Sequence, residues 1–148
     1  MFNRSNPYQE IAVQTSSPKK LVVMLYEGAI RFLRQSITAI QSKDFDRKRQ
    51  SVDRAVAVIQ HLQGTLDMDR GGDVAGELDR LYTYITSKIV EGSGKLEVAP
   101  LEEAIKLLTV LLSGWEEISK NEQEHAVPSA VLTQQAGIAA NGRFELNA

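Results

Sequence analysis

Between Pro18 and Gln41 the chain carries an apolar stripe too broad for a helix with a single neighbour. Leu21, Val22, Met24, Leu25, Tyr26, Ala29, Ile30, Phe32, Leu33, Ile37 and Ile40 recur at helical spacing and cover more of the circumference than one packing partner requires. The helix has a defined start, because Ser17 can cap its free amides and Pro18 has no amide hydrogen to lose at the first helical position. Two readings of the excess stay open. One is a central helix buried by several others, and the other is a helix whose surplus apolar surface receives another chain.

A chain of 148 residues forms one domain by length and can bury a core without metal or disulfide staples. With no cysteine it has no disulfide, no thiolate nucleophile, no zinc finger and no cysteine-held iron-sulfur cluster. Its apolar runs fall short of the roughly 20 residues of a membrane span. The opening Met-Phe-Asn-Arg-Ser-Asn-Pro lacks the apolar centre of a signal peptide. A cytoplasmic protein without membrane insertion is therefore expected.

The net charge of −2 conceals a dipole of +5 over residues 1–64 and −7 over residues 65–148. Lys43, Arg47, Lys48, Arg49 and Arg54 make the densest basic group, but Asp44, Asp46 and Asp53 break up its field and no aromatic platform accompanies it. It reads as a solvated helix face, and no nucleic-acid partner is expected.

The periodicity predicts four helices. The first spans Pro18 to Gln41, and Ser42-Lys43-Asp44 forms a turn with Asp44 as the next cap. The second reaches about Asp69 on a narrower stripe of Val52, Ala55, Val56, Ile59, Leu62 and Leu66. Arg70-Gly71-Gly72-Asp73 is the expected stop and restart, with a left-handed glycine cap followed by an Asp73 cap. The third helix then buries Val74, Leu78, Leu81, Tyr82, Ile85 and Ile89, and Gly92-Ser93-Gly94 ends it. The fourth begins near Pro100 and runs to about Asn121 on Leu101, Ala104, Ile105, Leu108, Leu111, Leu112, Trp115 and Ile118.

Short breaks favour antiparallel neighbours, so the expected fold is all-α: an antiparallel up-down-up-down four-helix bundle. Residues 17–121 make the bundle. Residues 1–16, with Pro7, Tyr8, Ile11 and Val13, make an N-terminal arm, and residues 122–148 make a mobile or loosely docked C-terminal tail. Trp115 and Tyr82 are expected to hold the bundle together with their polar atoms near an edge, and Gly114 to mark close packing.

Catalytic chemistry has little support. His61 and His125 belong to neither a Glu-x-x-His pair nor a His-Glu-x-x-His helix, so no metal or other cofactor is expected. His61 invites comparison with a phosphotransfer histidine, which needs an exposed ring nitrogen on a helix face; an ordinary boundary histidine explains it as well. Glu102/Glu103 and Glu116/Glu117 are adjacent and point in different directions around a helix. Gly71-Gly72 lacks the Lys-Ser or Lys-Thr of a phosphate loop. The chain is read as a binding protein, not an enzyme.

A family resemblance sharpens this reading. Tyr8, then Thr15-Ser16-Ser17-Pro18, then the run from Leu21 through Leu25-Tyr26-Glu27-Gly28-Ala29-Ile30-Arg31-Phe32, and farther on Gly71-Gly72, Leu78 and Leu81-Tyr82, resemble the flagellin-specific secretion chaperones of the FliS family. The resemblance covers Tyr8 to about Trp115. It implies a bacterial cytoplasmic helical bundle that binds the disordered C-terminal region of flagellin, prevents premature polymerisation and assists delivery to the flagellar type III export apparatus. A generic helical adaptor and a phosphotransfer bundle are the alternatives.

On this reading the client-binding candidates are Leu21, Met24, Leu25, Tyr26, Gly28, Ala29, Phe32 and Leu33 on the first helix, with Tyr8 and Ile11 on the arm. The thioether of Met24 suits clients of uneven shape. Gly28 costs about 0.8–1 kcal/mol relative to Ala in a helix interior, so a packing or contact reason is expected for it. Core packing is the competing role for every one of these residues. The same strip also allows self-association, which leaves monomer and dimer both open.

Overall fold

The computed structural model describes residues 18–124, with side chains from residue 20 to residue 118. It contains four helices: α1 (Pro18–Gln41), α2 (Phe45–Gly64), α3 (Met68–Lys95) and α4 (Val98–Glu124). The expected arm, and the tail beyond Glu124, lie outside the described residues.

Around the bundle α1 packs on α2 and α4, and α3 packs on the same two, so the helices close a ring in chain order. Cross-helix bonds fix their directions. Ser36 near the end of α1 meets Ser51 near the start of α2, Lys48 meets Ser93, and Gln63 meets Asp79 and Thr83. Early residues of each helix face late residues of the next, which is the antiparallel up-down-up-down bundle the sequence predicts.

The core is continuous from Leu21, Val22, Leu25 and Leu33 through Ala55, Ile59 and Leu62 to Ile85, Ile89, Leu101 and Leu108. At its centre the hydroxyls of Tyr26 and Tyr82 hydrogen-bond across the diagonal between α1 and α3. Tyr82 is fully buried, so its polar atom is central and not at an edge as expected. Trp115 is also buried, and its indole nitrogen has no hydrogen-bond partner among the described residues. The Ser36 and Ser51 hydroxyls form a second buried polar pair at 2.9 Å; one hydroxyl donates to the other, and the accepting one donates in turn to the backbone carbonyl one turn back, Phe32 for Ser36 or Arg47 for Ser51.

The α1–α2 turn is as expected and uses a lysine where glycine is commoner. Lys43 takes φ 60°, Asp44 N–H donates to the Ala39 carbonyl at 2.8 Å and Lys43 N–H to that of Ile40 at 3.1 Å, a Schellman closure. Asp44 then caps α2 by accepting from Arg47 N–H.

The next boundary differs from expectation. α2 stops at Gly64, where Thr65 donates its hydroxyl to the Leu62 carbonyl at 2.7 Å. Asp67, not Asp73, caps α3: one carboxylate oxygen accepts from the amides of Asp69 and Arg70 at 3.1 Å, and the other meets Arg70 Nε. The break expected at Gly71-Gly72 is present within α3 as a kink between two helical stretches, with Gly72 (φ 57°, ψ −139°) in a positive-φ conformation only glycine adopts readily. Beyond the kink the buried face steps by three and four through Ala75, Leu78, Tyr82, Ile85 and Ile89, so Val74, expected in the core, falls beside that face and is 49% exposed while Ala75 is buried in its place.

Gly92-Ser93-Gly94 does not end α3 either. The helix runs to Lys95 and closes on Leu96 in the left-handed region, while Glu97 N–H donates to the Gly92 carbonyl. Gly92 is buried where a Cβ would stand 2.8 Å from Leu101 Cγ and 2.9 Å from the Glu97 carbonyl. α4 starts at Val98, so Pro100 falls among the first four residues, whose amides have no intrahelical acceptor to lose. α4 continues past Asn121 to Glu124. Gly114 marks no close packing, since a Cβ there meets nothing within 4 Å.

Candidate functional site

The wide stripe of α1 is largely turned inward. Leu21, Leu25, Tyr26, Ala29, Phe32 and Leu33 are buried, Gly28 is buried with them, and Met24 is left partly exposed. Tyr8 and Ile11 lie outside the described residues. α1 touches two ring neighbours and reaches α3 through the tyrosine pair, and this accounts for the breadth of its apolar face.

Apolar surface lies elsewhere, on the seams of α3. Against α2, polar clamps stand at both ends: Lys48 Nζ donates to the carbonyl and hydroxyl of Ser93 at 3.2 Å, and Gln63 Nε2 donates to Asp79 Oδ1 and Thr83 Oγ1 at 2.9 Å. Between the clamps opens a groove of about 540 Å³ lined by Val52, Val56, Ala57 and Val90, with Asp53 and Gln60 among its polar residues. Val90 is 58% exposed.

Against α4, Tyr84 donates its hydroxyl to Glu103 Oε2 at 2.6 Å. That bond puts the Glu103 edge of α4 beside α3. Leu107, Leu111 and Ile118 continue that edge at helical spacing and are only partly buried. Facing them, Leu78 and Leu81 of α3 are likewise half-covered. Val110, one turn beyond Leu107, is 62% exposed, and the bare backbone of Gly114 prolongs the strip. Leu78, Leu81 and Leu111 pack against the core as the periodicity predicts while staying partly exposed, Val74 does not, and the periodicity carries no signal for Val90 or Val110.

The ionisable groups support binding more readily than catalysis. The Glu103 hydrogen bond raises the Tyr84 hydroxyl above its ordinary pKa, and Lys88 is raised by its bond to Glu91 while its ammonium stands 5.5 Å from the centre of the Tyr84 ring. Burial pushes the Tyr26 hydroxyl well up, reinforced by Tyr82. Burial lowers His61 to about 4. Its imidazole is neutral at pH 7 with Nε2 enclosed, which disfavours the exposed ring a phosphotransfer histidine requires; His125 lies outside the described residues. Among the described residues no three His, Asp or Glu side chains gather as a metal site, and no helix is long and apolar enough to cross a membrane.

The family model described as flagellar protein FliS matches residues 1–122. The flagellar secretion chaperone FliSB of Pseudomonas aeruginosa is 32% identical over 116 residues, covering 76% of this chain and 92% of that protein. The flagellar secretion chaperone FliS of Campylobacter jejuni is 33% identical over 117 residues, covering 79% and 91% respectively. Its Bacillus subtilis namesake is 28% identical over 122 residues, covering 82% and 90%.

Proposed function

The chain belongs to the FliS family of flagellar proteins, and we propose that it is a cytoplasmic secretion chaperone for flagellin. It captures the disordered C-terminal segment of flagellin, holds off polymerisation and hands the client to the flagellar export apparatus. The observation that carries this reading is the pair of incompletely covered apolar seams on either side of α3, on a bundle whose interior is otherwise filled. An unfolded segment pays conformational entropy when it orders, and about 25 cal/mol is recovered per Å² of apolar surface buried, so capture calls for a long, wrapping contact and not a single pocket.

In this proposal the client crosses Met24 on α1, the Val56–Val90 groove, and the Leu107–Val110 strip. Leu21, Leu25, Tyr26, Gly28, Ala29, Phe32 and Leu33 support the contact from beneath, and Tyr8 and Ile11 of the arm join it. The test is calorimetric titration of the full chain with flagellin and with flagellin lacking its C-terminal segment. Only the intact client should bind, and Met24→Glu and Val110→Glu should each weaken capture about tenfold, or about 1.4 kcal/mol, without lowering thermal stability. Equal binding of both clients overturns the proposed segment. Unchanged affinity in both folded variants overturns the surface.

A further inference from the structure

Lys48 is a half-buried cation that no carboxylate answers among the described residues. Its ammonium reaches from α2 across the seam to α3, where it donates to the carbonyl and to the hydroxyl oxygen of Ser93, each at 3.2 Å. Both acceptors are neutral, so the corner keeps its full positive charge, and one of the three N–H donors is unspent. The Ser93 hydroxyl accepts that bond and donates to nothing among the described residues. Two donors are thus held 3.2 Å apart, close enough to share the two oxygens of one carboxylate. Ser93 also lines the groove of about 540 Å³ together with Val52, Val56, Ala57 and Val90. The uncompensated charge therefore stands at the end of an apolar groove, where desolvation is costly and an anion returns part of that cost.

We infer that the Lys48–Ser93 corner receives the free carboxylate at the end of the client chain, with the apolar side chains before it laid on Val52, Val56 and Val90. This rests on the proposed capture of a C-terminal segment and adds the group by which its terminus is recognised. The chain end is the one negative charge that every C-terminal segment carries, whatever its sequence, and its capture by a few fixed donors is a recurring recognition mode. Lys48 is already held by two bonds, so little side-chain freedom is left to lose on binding. Asp53 sets the selectivity. It lines the same groove and has no ion-pair partner among the described residues, so it opposes a second negative charge there. A single carboxylate behind an apolar side chain is accepted, while a phosphate or a run of acidic residues is disfavoured.

The experiment is calorimetric titration of the full chain with a synthetic peptide of the flagellin C-terminal segment, made once as the free acid and once as the C-terminal carboxamide. The parent should bind the acid about tenfold more tightly than the amide, and raising ionic strength from about 0.05 M to about 0.3 M should narrow that ratio. Lys48→Gln should bring the ratio close to one, Lys48→Arg should keep most of it, and Asp53→Asn should widen it. Ser93→Ala should reduce it with the seam still clamped through the backbone carbonyl. Because the ratio compares two ligands on one protein, a variant that merely folds less well loses both affinities together and leaves it unchanged. Equal binding of acid and amide by the parent overturns the inference and leaves capture of the segment standing. An acid preference undiminished in both Lys48→Gln and Ser93→Ala overturns the assignment to this corner, and binding of neither form overturns it together with the reading it rests on.

Discussion

Two helix-interior glycines should respond in opposite directions to one added methyl. Glycine costs about 0.8–1 kcal/mol relative to alanine in a helix, so Gly→Ala stabilises wherever the Cβ finds room. At Gly114 nothing lies within 4 Å of that Cβ, and Gly114→Ala should gain about 0.5–1 kcal/mol. At Gly92 the Cβ meets Leu101 Cγ at 2.8 Å, the Glu97 carbonyl at 2.9 Å and Leu101 Cδ2 at 3.1 Å. Leu101 is fully buried and has little room to swing aside. The Glu97 oxygen is backbone in the short α3–α4 connection, whose own amide is tied to the Gly92 carbonyl. With two contacts under 3 Å, one of them to backbone, the overpacking cost falls in the upper part of the usual range, about 2–3 kcal/mol, which exceeds the propensity gain of about 1 kcal/mol and leaves Gly92→Ala about 1–2 kcal/mol less stable. For a chain of this size that is a fall of roughly 2–8 °C in Tm, against a rise of about 1–4 °C for Gly114→Ala. Thermal and urea unfolding followed by circular dichroism reads both. A Gly92→Ala variant as stable as the parent would refute the packing at the α3–α4 corner.

Asp67→Ala should lower Tm by about 2–4 °C through loss of the α3 cap, whereas Asp73→Ala should leave it within about 1 °C, a contrast that scanning calorimetry resolves and that tests which aspartate starts the helix. His61 predicts a pH dependence. Its pKa falls from an ordinary 6.5 to about 4 in the folded chain because burial penalises the charged ring, so the unfolded state takes up the proton first. Stability present above pH 6.5 is therefore lost progressively as pH falls toward 4 and levels off below. Urea midpoints across that range should show the decline, and His61→Gln should flatten it; an unchanged profile would sink the assignment.

Much of the fold was legible because helical period and caps are local. Pro18 and the Ser42-Lys43-Asp44 turn bracket α1 as the structure has it, and the expected Ser17 cap lies outside the described residues. The errors arise where one residue type serves two purposes. Gly71-Gly72 reads as a terminus, yet the Asp67 carboxylate captures two amides earlier in the chain and leaves Gly72 as a kink. Gly92 reads as a stop and is an approach point for Leu101. Neither Leu101 nor the Glu97 carbonyl is visible from Gly92 along the sequence, because spacing identifies a backbone opportunity and not the atoms that use it. The Lys48–Ser93 corner is invisible for the same reason, since the two residues meet only after α2 and α3 are laid side by side.

The breadth of the α1 stripe admits burial by several helices or reception of a client, and the two are not equivalent in what they leave outside. A helix with two ring neighbours and a diagonal contact uses its wide face, so the burial of Leu25, Ala29 and Leu33 follows from the ring closing in chain order. Apolar surface is left over instead where a helix has a moderate stripe and a loosely covered edge. That is the position of α3: the polar clamps fasten it to α2, Val90 opens on that seam, and Leu78 and Leu81 of α3, like Leu107 and Leu111 of α4, are left half-covered. Surface for a wrapping client is thus better sought along the half-covered edges of α3 and α4 than on the helix with the widest stripe, because a face consumed by its own bundle has little left to offer.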